Sequence, residues 1–181
     1  MAPDSDALAA AQGAYRRGRA RMAFFHALPA LLYMGGALAL GSDPRAAWFA
    51  LATFVVGALA VFVGGSFGRA VRPALVYGAL PFVVTHAVQS FGHVCVGDAC
   101  MSWCLPACSV TGLVVGLAFV RRAERDKNPF GFFAAGLPIV VATGALGCRC
   151  LGYSSVAGMA VGMLLVSLPA WPRWAAARAA G

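Results

Sequence analysis

Long apolar runs, each closed by a glycine, a proline or a knot of arginines, set the rhythm of this chain. Residues 46–64 show it most plainly, with no charged side chain from Ala46 through Trp48, Phe54 and Phe62 to Gly64. Crossing the hydrocarbon layer takes about 20 mostly apolar residues per helix. Six stretches qualify, at 22–40, 45–64, 73–92, 101–120, 129–147 and 151–170. Strands of a membrane barrel would alternate apolar and polar residues over about ten positions, and these runs do not alternate. The pattern predicts an all-α membrane protein, a six-transmembrane-helix bundle.

The punctuation agrees. Asp43-Pro44 precedes the second run, Arg72-Pro73 opens the third and Asn128-Pro129 opens the fifth; proline in a first helical turn sacrifices no hydrogen bond. Gly64-Gly65 and Gly68 read as a turn. Gly112 with Gly116, and Gly158 with Gly162, form two GxxxG steps that let helix backbones approach closely in lipid. The first run exceeds the 7–15 residues usual for a signal-peptide core and has no small-x-small cleavage pattern after it, so it is read as a true span. The expected organisation is a cytoplasmic lead at 1–21, the helical membrane domain at 22–172 and a cytoplasmic tail at 173–181. No room is left among these residues for a soluble domain. Leu8 and Tyr15 stand two turns apart and could share a face of a frayed amphipathic helix in the lead. Gly13 and Gly18 weaken that helix, and a tail anchored at the lipid surface is the simpler alternative.

Composition strengthens the membrane reading. Of 181 residues 61% are hydrophobic and only 11% charged, with a mean hydropathy of +0.78, too apolar for an ordinary soluble domain. The net charge of +8 would otherwise suggest nucleic acid, but its distribution says no direct nucleic-acid partner. Arg16, Arg17, Arg19, Arg21, Arg69, Arg72, Arg121, Arg122, Arg125, Lys127, Arg173 and Arg178 fall on one side of the bilayer, and Arg45 and Arg149 on the other. That is the positive-inside bias. It places both termini in the cytoplasm and suits a multi-pass protein of the bacterial inner membrane.

The chemistry gathers on the opposite side. Cys95, Cys100, Cys104 and Cys108 form one window and Cys148 and Cys150 a second. Cys100, Cys104 and Cys108 recur every fourth residue, so a helix through them would turn all three one way. Pro106 belongs in a first turn, which starts the helix near Trp103 or Cys104 and sets sulfurs at its N-terminus, where the helix dipole favours thiolate. Cys148-Arg149-Cys150 is too tight for an easy internal disulfide, so each sulfur faces the other window. His86, Gln89, Ser90 and His93 follow the i, i+3, i+4, i+7 pattern and lead toward Cys95. A soft ion such as zinc, cadmium or copper(I) suits such thiolate and imidazole donors. An internally satisfied polar network on the stripe, and two permanent disulfides between the windows, are the bland alternatives. His26 reads as an interfacial residue.

In layout the chain resembles the negative-regulator-of-sigma-F family of integral-membrane anti-sigma factors. The likeness lies in six spans, cytoplasmic termini, the stretch from Cys104-Leu105-Pro106 through Arg121-Arg122 to Pro129, and Gly144 to Cys148. The chain departs from it in its extra cysteines and in Gly152-Tyr153-Ser154-Ser155, where the family carries an aromatic pair. The resemblance implies that the cytoplasmic side sequesters an extracytoplasmic-function sigma factor and that a cysteine on each outer loop senses metal or oxidative stress. Carried onto this sequence, the sensing pair is Cys104 or Cys108 with Cys148, and the sigma-binding surface includes Leu8 to Tyr15. Three rival readings stand beside it. A disulfide-forming or quinone-reducing enzyme would want a Cys-x-x-Cys pair, and none of the cysteine spacings provides one. A soft-metal permease needs ligands along the path, and beyond His86 and His93 only His26 continues it inward. The third is a structural subunit.

Overall fold

The computed structural model describes residues 5–39, 46–90, 94–96, 99–101, 104–147 and 153–179. The described chain is helical apart from one short antiparallel strand pair and the turns between helices. Helix α1 (Ser5–Ala27) leads into α2 (Pro29–Ala39), and α3 (Ala46–Val63) into α4 (Gly65–Ser90). Strands β1 (Val94–Val96) and β2 (Ala99–Met101) follow, then α5 (Cys104–Ala123), α6 (Pro129–Ala145) and α7 (Tyr153–Ser167). A 3-10 turn at Leu168–Ala170 continues into α8 (Trp171–Ala179).

Four helical stretches are long and apolar enough to cross a membrane: Leu8–Ala39, Gly65–Val88, Pro106–Ala123 and Val156–Ala176. Ala47–Val63 and Pro129–Ala145 are apolar too, but shorter. The outer surface fits a lipid solvent. Leu32, Trp48, Val76 and Val83 are all exposed, an arrangement that would be an aggregation hazard in water.

Several boundaries differ from the sequence expectation. The lead is helical from Ser5, α1 is continuous across residues 21 and 22, and only the Leu28–Pro29 step interrupts the helix before α2. The third helix begins at Gly65 and not at Pro73, so Pro73 and Pro81 both lie inside α4. The cause is the preceding turn: Gly64 and Gly65 take φ of +78° and +61°, values that cost glycine little, and the chain reverses there in two residues. Asn128-Pro129 behaves as expected, with the Asn128 side chain accepting a hydrogen bond from Gly131 N at 3.0 Å. Past residue 170 the tail continues as helix, and Trp174 is buried against Phe133 at 5.6 Å between rings.

The core lies where α4, α5, α6 and α7 meet. Phe119 is its centre, with the rings of Phe132, Tyr77 and Phe133 at 5.3, 5.8 and 6.0 Å. Polar groups inside these helices spend their hydrogen bonds locally: Thr53, Thr85, Thr111 and Thr143 each donate to the carbonyl four residues back. That satisfies a hydroxyl without a partner helix, which a water-free interior requires.

Candidate functional site

At the cysteine end, α5 begins at Cys104, with Pro106 in its first turn. Cys104 and Cys108 therefore share one helix, one turn apart. Cys100 does not join them, because it lies on β2, in register opposite Cys95 on β1. The expected three-cysteine helical face is thus divided: Cys100 pairs in a two-stranded ladder and stands outside the helical repeat of α5. Cys108 is only 1% exposed. Cys148 and Cys150 lie outside the described residues.

The histidine stripe is described in part. α4 carries His86, Gln89 and Ser90 on one helix, and His93 lies outside the described residues. His86 is half-buried, and its ring packs edge-on against Phe82 at 4.8 Å. Among the described residues, no group of three or more histidines, cysteines or carboxylates is placed to hold a metal ion.

Below the cysteines, α5 and α7 touch backbone to backbone. A Cβ added at Gly112 would lie 2.5 Å from the Met159 carbonyl oxygen, and one at Gly162 would lie 2.8 Å from the Ser109 carbonyl oxygen. Gly116 is equally close to Met163 Cα, at 2.8 Å. Gly112 and Gly116 of the first step and Gly162 of the second are therefore used at one α5–α7 contact. α5 then runs its 20 residues, about 30 Å at 1.5 Å per residue, and ends at Arg121 and Arg122.

The arginine end contains a feature that hydropathy and spacing did not single out. Asp126, in the α5–α6 turn, accepts from Arg69 Nε at 2.7 Å, Arg69 Nη2 at 3.0 Å, Ser66 Oγ at 2.6 Å and Asn128 N at 3.1 Å. The Arg69 guanidinium, with help from Ser66 and Asn128, holds the Asp126 carboxyl well below the usual carboxylate range against the opposing effect of burial. Glu124 pairs with Arg173 at 2.8 Å. Both carboxylates of one turn thus tie down neighbouring segments, α4 through Asp126 and α8 through Glu124. The available signal was weak: two acids among Arg121, Arg122, Arg125 and Lys127, with Ser66 and Arg69 at i, i+3.

On the same side, the first half of α1 stands away from the bundle. No residue from Leu8 to Met22 is buried; Leu8 is 49% and Tyr15 64% exposed. Nearer the bundle, the Arg19 guanidinium sits over the Tyr15 and Phe62 rings at 5.5 and 5.7 Å and against Gly64. Both expected contact residues are thus presented on a helix. Compared with known proteins, the chain matches no family model, no curated protein and no solved structure.

Proposed function

We propose that this chain is a thiol-responsive membrane regulator: a six-span protein of the bacterial inner membrane with cytoplasmic termini, which holds an extracytoplasmic-function sigma factor through α1 and releases it when its outer cysteines meet a soft metal or an oxidant. The observation that carries this reading is the run of α5. One helix starts in a cysteine window, packs on α7 through glycines and ends in the arginine-rich turn. A change at its thiol end has a rigid path to the other end. Interiors packed this closely switch between discrete arrangements more readily than they deform, and coupling of the two ends requires two such arrangements with different partner affinity.

The partner half of the reading rests on α1. A helical stretch with no buried side chain from Leu8 to Met22 gains little from tertiary packing, which is the usual source of helix stability in proteins. A partner that covers Leu8 and Tyr15 supplies that packing. The resemblance of the sequence layout to the membrane anti-sigma factors is what supports a sigma factor as that partner.

The test is co-purification of the full chain from its host, with and without cadmium or peroxide. A sigma factor that is bound at rest and released by either agent is the expected result. Uptake of cadmium or zinc by vesicles containing the protein, with no sigma factor bound, overturns the reading in favour of a soft-metal permease.

A further inference from the structure

The turn between α3 and α4 roofs a cavity of about 710 Å³, whose lining has two chemically distinct parts. Arg69, Arg72 and Arg122 form the polar part, together with His26 of α1. Met22, Val61 and Val76 belong to the apolar part. Gly64, Gly65 and Gly68 leave the wall between them without side chains.

The charge of the cavity is not balanced from within. Asp126 engages Arg69 through both its oxygens, and Glu124 is taken by Arg173. Among the described residues, neither Arg72 nor Arg122 has a carboxylate within ion-pair distance. Two guanidiniums therefore line a shared space without a carboxylate partner among the described residues. Planar guanidinium forks match phosphate oxygens well.

The apolar part decides which phosphate. Val76 is exposed, and Leu80 and Val83, also exposed, continue from it at i+4 and i+7 along α4. A helical stripe of this spacing lies on one face, so the cavity opens onto a track that runs along a candidate membrane span. Soluble phosphate has no use for such a track, whereas an acyl chain does. Basic pockets between helices at the cytoplasmic membrane surface suit acidic headgroups. We infer that this cavity binds an acidic phospholipid, its headgroup phosphate held between Arg72 and Arg122 and an acyl chain laid along Val76, Leu80 and Val83. Arg69, fixed by Asp126, orients the basic wall. The site needs a membrane but no sigma factor, so it stands or falls apart from the regulatory reading.

The test uses full-length protein, delipidated in neutral detergent and titrated with dioctanoyl phosphatidylglycerol, dioctanoyl phosphatidylcholine or inorganic phosphate. Phosphatidylglycerol should bind and raise the melting temperature, and the other two should not. The variant R72Q/R122Q should bind phosphatidylglycerol about thirtyfold more weakly, the loss expected for two basic side chains at a membrane surface. R16Q/R17Q, with the same charge removed on α1, should bind as the parent does. A second measurement needs no variant: phosphatidylglycerol should protect Arg72 and Arg122, but not Arg16 and Arg17, from phenylglyoxal. Equal binding of phosphatidylcholine, equal binding of inorganic phosphate, full affinity in R72Q/R122Q, or absence of protection at Arg72 and Arg122 would each overturn the assignment.

Discussion

Gly112 and Met159 meet where α5 crosses α7, so closely that a methyl group on Gly112 would lie 2.5 Å from the Met159 carbonyl oxygen. Neither backbone can yield to a side chain without moving its whole helix. Gly112→Ala should therefore destabilise the protein by about 1–3 kcal/mol, the usual range for overpacking a tight interior. Gly162→Ala, which would press on the Ser109 carbonyl, should do the same. Gly35→Ala, at a position with nothing within 4 Å of the added carbon, should not. Chemical unfolding in detergent micelles checks all three.

The second prediction concerns acid. Asp126 has a folded carboxyl pKa below its unfolded value, so its stabilising contribution is complete above the unfolded pKa, about 3.9. It is lost as pH falls from there toward the folded value. Asp126→Asn should cost about 2 kcal/mol at neutral pH, as expected for loss of hydrogen bonds to a charged group. The difference from the parent protein should shrink below about pH 4. A gap that stays constant from pH 7 to pH 3 would show that the ion pair adds no pH-linked stability.

Thiol chemistry gives the third. Cys108 is only 1% exposed, and burial protects a thiol from reagents. In the folded protein it should react with a bulky maleimide far more slowly than after denaturation, as mass spectrometry of the labelled peptide can measure. In the regulatory reading, C108S together with C148S should abolish release of the partner by cadmium or peroxide. Persistence of that release in the double variant would rule out cysteine sensing, whatever the partner is.

The fourth separates contact from stability on α1. Leu8 and Tyr15 touch solvent over about half of their surfaces or more, so L8D and Y15A should leave the melting temperature almost unchanged; surface substitutions usually stay within about 0.5 kcal/mol. Partner binding should weaken at least tenfold if these residues anchor it, since buried interface anchors cost about 2 kcal/mol or more when truncated. Binding assays with the two purified components read both effects.

Much of this protein is written in one dimension. Apolar runs of span length, prolines at Asn128-Pro129, and arginines collected on one side require only local composition, because lipid insertion and backbone satisfaction act on each helix separately. The glycine steps could be located in the same way, and so could the start of α5 beside Pro106. Register and partner choice could not. That Cys100 faces Cys95 across a strand pair, and does not stack on Cys104 along a helix, depends on which segments pair. That Gly112 meets Met159 depends on which helices become neighbours. Asp126 shows the limit most clearly: its partners Ser66 and Arg69 lie 60 and 57 residues away, and an isolated acid among basic residues carries no mark of that distance. The sequence by itself determined where the long apolar helices run and the chemical inventory of each end. Tertiary structure alone decided which groups meet, because contacts between distant segments arise from helix packing and turn geometry, which no local pattern contains.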